Sequence, residues 1–82
     1  MDVEELLRAI NYIEGVTGTH NYHVWSISNE EHALMIHVVF SMKYDEKKFK
    51  RNFHKKFEHL MKKYKIKYYT VQVEVEGKDA LV

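Results

Sequence analysis

Residues 45–64 read DEKKFKRNFHKKFEHLMKKY, and this stretch decides the fold. Its apolar side chains recur at three- and four-residue spacing, which is the spacing of one face of an α-helix. The side chains expected on that face are Phe49, Phe53, Phe57, Leu60 and Tyr64. Asp45 precedes the run and is suited to cap the helix, because its carboxylate can accept free backbone N–H groups. The stretch therefore predicts a long amphipathic helix over residues 45–64.

Three strands are predicted around this helix. Residues 20–28 are rich in strand formers and include Trp25, an expected packing anchor, and residues 32–42 alternate between two faces. The short turn between these strands predicts an antiparallel hairpin. One face of the second strand is expected to hold Leu34, Ile36, Val38, Phe40 and Met42. Residues 66–76 predict a third strand, and the right-handed crossover through the helix makes it parallel to the second.

Residues 2–14 predict a first helix, capped by Asp2 and ended by Gly15, and residues 16–19 read as a short connection. The element order is therefore α-β-β-α-β. Both helices have apolar stripes that must cover one face of a three-stranded mixed sheet, which predicts an α+β two-layer sandwich. The other face is expected to be a mixed surface suited to a protein partner, carrying Met35, His37, Val39, Tyr68, Thr70, Gln72 and Glu74.

Length and composition exclude several classes of protein. The 82 residues predict one domain over residues 1–82, with its core in residues 3–76. Cysteine is absent, which excludes disulfides, thiolate zinc sites and cysteine nucleophiles. No apolar run approaches the roughly 18–20 residues of a membrane span, and the acidic N-terminus is unlike a signal peptide. No catalytic constellation stands out, so the chain is not expected to be an enzyme.

Charge is distributed unevenly along the chain. Segment 43–67 holds 11 of the 13 Lys/Arg residues and three of the 12 acidic residues, for a net charge of +8, while the remainder carries −7. The basic residues of the long helix are Lys47, Lys48, Lys50, Arg51, Lys55, Lys56, Lys62 and Lys63. They are expected to form a solvated face, or one that attracts anionic lipid beneath a bilayer. An RNA-binding module is a weaker alternative, because the aromatic signature of such sheets is missing.

Three stretches together resemble one known family. Gly15-Val16 followed by HNYHVWSI at residues 20–27 resembles the "GV…HDLHVWSI" motif of the cytosolic C-terminal domain of cation diffusion facilitator transporters. LMIHV at residues 34–38 and IKYYTVQVE at residues 66–74 resemble the strands that follow it. The resemblance implies a metallochaperone-like (ferredoxin-like) domain in the cytoplasm that forms a homodimer, binds zinc or another divalent cation, and favours the transporting conformation of a membrane domain.

This family likeness leaves two alternatives open for the chain. It is expected to be either a domain excised from such a transporter, with the membrane domain in cis, or a freestanding relative. A freestanding or degenerate domain would dimerise or buffer metal without sensing it.

Metal ligands also follow from the resemblance. His20 and His37 match the first two ligand positions of the family, whereas Tyr68 occupies the third, and its phenol is a poor zinc ligand at neutral pH. A site that bridges two protomers is expected to recruit secondary ligands from His23, Gln72 and Glu74. His23 lies three residues after His20, so regular strand alternation predicts that the two point to opposite faces.

Overall fold

The computed structural model describes residues 1–43 and 45–76, and its elements follow the predicted order. They are α1 (Val3–Asn11), β1 (Val16–Ser26), β2 (His32–Phe40), α2 (Glu46–Lys63) and β3 (Ile66–Val75). Both predicted helix caps are confirmed. The Asp2 carboxylate accepts the backbone N–H of Glu5 at 3.1 Å, and the Asp45 carboxylate accepts that of Lys47 at 2.8 Å.

The sheet has the strand order β1-β2-β3, with β2 in the centre. β1 and β2 pair antiparallel as a hairpin, and β2 and β3 pair parallel because α2 crosses over between them. Both helices cover one face of this sheet, so the predicted α+β sandwich is confirmed. We call the opposite sheet face the open face; it carries His20, His23, Trp25, Met35, His37, Tyr68, Gln72 and Glu74.

Phenylalanines of α2 hold that helix against the sheet. Phe49 stacks on Phe40 of β2, with ring centroids 4.3 Å apart. Phe53 stacks between Phe49 and Phe57, at centroid distances of 5.4 and 5.1 Å. All four rings are buried, together with apolar side chains of α1 and β2. In the described part of the chain, no helix is long and apolar enough to cross a membrane.

The start of β1 differs from the prediction. Residues 16–19, expected to be a connection, belong to the strand, with Val16 opposite Phe40 and Thr19 opposite Val38. Their Thr and Gly content resembles a loop, but pairing with β2 satisfies the backbone groups that a loop would leave to water. Gly15 directly before the strand has φ 94, a conformation that glycine adopts without strain.

Two smaller boundary predictions and one burial prediction are also wrong. α1 ends at Asn11 rather than at residue 14. β2 ends at Phe40, so Met42 does not share its buried face and is 64% exposed. On α2, Met61 is buried, although the predicted stripe left it out, and Leu60 is only partly buried. The buried stripe of a helix is wider than a single row of residues, so the positions three and four residues after Phe57, Leu60 and Met61, both belong to it.

Candidate metal site

Two histidines and one glutamate converge on the open face from all three strands. His20 of β1 lies directly opposite His37 of β2, and cross-strand partners point to the same side of a sheet. On the other side of β2, Glu74 of β3 pairs with Val39, two residues beyond His37. Because strand side chains alternate, Glu74 lies on the same face as the two histidines.

Distances within this cluster are short enough for hydrogen bonds. The His37 ring donates from Nδ1 to Glu74 Oε2 at 2.8 Å, and the His20 ring donates from Nε2 to Glu74 Oε1 at 3.2 Å. The two imidazole rings meet edge to face, with centroids 5.1 Å apart. The Glu74 side chain is 18% exposed, that of His37 24% and that of His20 45%. The cluster is therefore half-sheltered and reachable from solvent at His20.

Electrostatics keep the Glu74 carboxylate ionised. The hydrogen bond from His37 lowers its pKa below the usual value of 4.5, and the hydrogen bond from His20 acts in the same direction. Partial burial opposes both effects, because it penalises the charged form. A carboxylate that is negative at neutral pH and flanked by two imidazoles is a strong attractor for a cation.

Geometry and donor chemistry both fit a divalent metal ion. One nitrogen from each histidine and one oxygen from Glu74 lie within 4.8 Å of one another. Two donors bound to a tetrahedral zinc ion about 2.0–2.1 Å away would be about 3.3 Å apart. The observed contacts of 2.8 and 3.2 Å need only a small expansion to reach that spacing. Among the described residues, no other group of three or more His, Cys, Asp or Glu side chains is arranged in this way.

A β-bulge in β1 changes the position of His23. Pairing passes from His20 opposite His37 to His23 opposite Met35, so β1 holds one extra residue between these pairs. Asn21 lies in this bulge and adopts a left-handed backbone conformation, with φ 50. The prediction that His23 and His20 point to opposite faces is therefore wrong. His23 lies on the open face but is not part of the three-ligand cluster.

Tyr68 and Trp25 lie at the other end of the open face. Both pair with Ala33, from β3 and β1 respectively, so the Tyr68 phenol is not part of the cluster. Trp25 is 52% exposed, and the prediction that it anchors the core is wrong for this chain. Its neighbour Val24 faces the core instead, because the bulge resets the alternation of β1.

Gln72 lies beside the cluster. It pairs with His37 across β2 and β3, and its side chain is on the open face. Two predicted primary ligands, His20 and His37, and one predicted secondary ligand, Glu74, therefore lie together within one chain. The sequence analysis expected Glu74 to bind metal only in a site between two protomers. The predicted parallel pairing of β3 with β2 already brings Glu74 to the strand beside His37.

The fold agrees with what known proteins show. A family model described as the cation efflux protein, cytoplasmic domain, matches residues 1–76. The chain belongs to this family. The resemblance read from the three sequence motifs is thereby confirmed, and the family description places this domain in the cytoplasm.

Individual known proteins are also similar to this cation efflux domain. It is 32% identical over 77 residues to a "cadmium, cobalt and zinc/H(+)-K(+) antiporter" of Bacillus subtilis (strain 168), and the match covers 94% of this chain and 24% of the antiporter. The metal-bound C-terminal domain of the CzcD transporter from Cuprividus metallidurans has a similar structure, with a TM-score of 0.71, 26% identity, and coverage of 90% of this chain and 99% of that one. The MamM CTD shares the fold at a TM-score of 0.74 and 11% identity, over 90% of this chain and 94% of that one.

Basic residues of the cation efflux domain lie on its helix layer. The predicted basic face of α2 consists of exposed side chains, and Lys50 forms an ion pair with Glu46 at 2.9 Å. The exposed aromatic side chains Trp25 and Tyr68 lie on the opposite layer. RNA recognition by a sheet of this shape stacks bases on aromatics of the sheet itself, and the basic side chains of α2 lie on the other layer, which argues against it.

Proposed function

We propose that this domain is a metal-responsive dimerisation module of a divalent cation efflux transporter. A zinc-type ion bound by His20, His37 and Glu74 would favour a compact homodimer. The observation that carries the proposal is the convergence of two imidazoles and one carboxylate on the open face. Two histidines and a carboxylate form an established ligand set for zinc. The description of the similar CzcD domain as metal-bound supports a metal here.

The three ligands leave one position of a tetrahedral site for a fourth group. Water fills such positions readily, and a second copy of the chain facing the open face would offer its own Gln72 or His23. A ligand from the second copy would couple metal binding to dimer geometry. In a two-fold homodimer the contribution is reciprocal, so two equivalent sites would form.

Apolar side chains on the open face support the homodimer. Trp25, Met35 and Tyr68 are 52%, 39% and 60% exposed on the surface that carries the metal cluster. Apolar side chains grouped on one exposed surface often mark a protein–protein contact, so a partner is expected to cover them. Zinc can shift the dimer only by binding the compact arrangement more tightly than a more open one. The domain would therefore act as a regulator and not as a catalyst.

Calorimetric titration with zinc tests the metal site. The wild-type chain is expected to bind one zinc ion per protomer. His20→Ala and Glu74→Gln each remove a ligand, so affinity should fall by more than the roughly 10–100-fold that loss of an outer-shell partner costs. His54→Ala is the matched control. His54 also contacts a glutamate, Glu58 at 3.1 Å, but no second histidine completes a cluster there.

Small-angle scattering with and without zinc tests the response of the dimer. Zinc is expected to reduce the radius of gyration of the wild-type dimer and to leave that of Glu74→Gln unchanged. Trp25 is the single tryptophan and lies on the open face, so its emission should shift when the dimer closes. A stable dimer that neither binds zinc nor changes shape would overturn the sensing role and leave dimerisation alone.

A further inference from the structure

A groove runs between α1 and α2 in the helix layer, away from the metal cluster. Its volume is about 360 Å³. Ala9 and Ile13, in and after α1, and Leu60 of α2 form an apolar lining. Tyr12, which directly follows α1, also lines the groove and is 92% exposed, the largest exposure among the large apolar and aromatic side chains of the described residues. The groove is therefore apolar inside, with an aromatic ring standing free at its edge.

Two lysines make the rim of this groove cationic. Lys55 and Lys56 of α2 line it, beside His59. Lys48 and Lys62 lie seven residues before and after Lys55, and seven residues are close to two turns of a helix. The same flank of α2 therefore carries lysines along much of its length, directly beside the apolar groove.

The opposite flank of α2 has a different character. Lys50 and His54 line a separate groove next to β3 and are paired with Glu46 at 2.9 Å and Glu58 at 3.1 Å. Those ion pairs cancel part of the charge on that flank. Within the described residues, no ion pair involves Lys55 or Lys56. The two lysines at the groove between the helices are thus not neutralised by ion pairs within the described residues.

We propose that this groove, with Lys55, Lys56 and Tyr12 at its edge, binds the surface of an anionic phospholipid membrane. Lysines place their ammonium groups among anionic headgroups while their aliphatic stems lie along apolar surface. Tyrosine favours the same boundary, because its ring is apolar and its hydroxyl is polar. The cytoplasmic leaflet is negatively charged, and the chain belongs to a family of cytoplasmic domains of cation efflux proteins. This surface is independent of the metal cluster, so neither proposal depends on the other.

Charge and apolar surface together favour a membrane over a polynucleotide. A nucleic acid would use the lysines, and one of its bases would stack on Tyr12, but the apolar lining of the groove would stay unused. Polynucleotide binding is therefore the competing outcome that the experiment must separate.

Vesicle co-sedimentation of the 82-residue chain tests the proposal. The probes are phosphatidylcholine vesicles with and without phosphatidylserine, and a short single-stranded RNA serves as the competing polyanion. Binding is expected only to the phosphatidylserine vesicles. Each lysine near the surface contributes roughly a fivefold change in partitioning, so Lys55→Gln/Lys56→Gln should weaken binding by about 25-fold.

Two further variants separate the groove from general charge. Tyr12→Ser leaves the charge intact and should weaken binding to the phosphatidylserine vesicles. Lys47→Gln/Lys50→Gln removes the same charge from α2 outside the groove and should weaken binding less than the Lys55/Lys56 variant does. The proposal is overturned by absent binding, by binding that ignores phosphatidylserine, by equal losses in the two lysine variants, or by tighter binding of RNA than of vesicles.

Discussion

Replacing Phe53 by alanine is expected to remove a large part of the stability of this domain. Phe53 is 5% exposed and stacks between Phe49 and Phe57, at 5.4 and 5.1 Å between centroids. Truncating a buried phenylalanine to alanine costs about 3–5 kcal/mol, from lost burial and the cavity left behind. A chain of 82 residues has a total free energy of unfolding of only about 4–12 kcal/mol. We therefore expect Phe53→Ala to lose between a quarter and all of that stability.

A conservative variant separates burial from ring stacking. Phe53→Leu keeps most of the buried volume but loses two aromatic contacts, each worth about 0.5–1.5 kcal/mol, so it should cost about 1–3 kcal/mol. Tyr12→Ala is the surface control, because Tyr12 is 92% exposed, and it should change stability by no more than about 0.5 kcal/mol. Urea denaturation followed by circular dichroism measures all three. A Phe53→Ala loss below about 1 kcal/mol would refute the claim that the phenylalanine stack holds α2 on the sheet.

Three further predictions concern the bulge, a tyrosine and a helix cap. Asn21 has φ 50, so Asn21→Val should lower the free energy of unfolding by about 1–2 kcal/mol while Asn21→Gly should not lower it; equal losses on chemical denaturation would contradict this. Tyr64 donates a hydrogen bond to Glu5 at 2.5 Å, which raises the pKa of Tyr64 above 10.0. The native state therefore keeps a proton that the unfolded chain loses, so stability should fall more steeply above about pH 10 than in Tyr64→Phe, and identical slopes would argue against it. Asp45→Ala should lower the free energy of unfolding by about 1 kcal/mol while Asp45→Asn should not, because only alanine removes the acceptor for the Lys47 N–H; thermal melting distinguishes them.

Periodicity alone predicts most of the fold. The spacing of Phe49, Phe53 and Phe57 predicts α2, and the alternation of β2 predicts the face that packs against the helices; both depend on local pattern and strong burial. Parallel pairing of β3 follows from the crossover through α2. The early start of β1 at Val16 could not be predicted, because pairing with β2 overrides the loop-like composition of its first residues.

The candidate site was only partly predictable. His20 and His37 follow from the family motifs, and their strands pair as expected. The bulge at Asn21 could not be read from the sequence, because a single residue with positive φ leaves no periodic signal, yet it moves His23 to the open face. Glu74 completes the cluster within one chain because the register of β3 places it two residues beyond the partner of His37. Alternation specifies the face on which Glu74 lies, but it does not distinguish registers of β3 that differ by two residues.

X-ray absorption at the zinc edge tests most directly whether His20, His37 and Glu74 bind the metal. The zinc-loaded wild-type chain is expected to show two imidazole nitrogens at about 2.0–2.1 Å and a carboxylate oxygen at about 2.0–2.2 Å. The imidazole signature should disappear in His20→Ala/His37→Ala and remain in His54→Ala. A zinc shell of water oxygens alone, or an imidazole signature that survives the double substitution, would contradict the assignment of these three residues as the metal site.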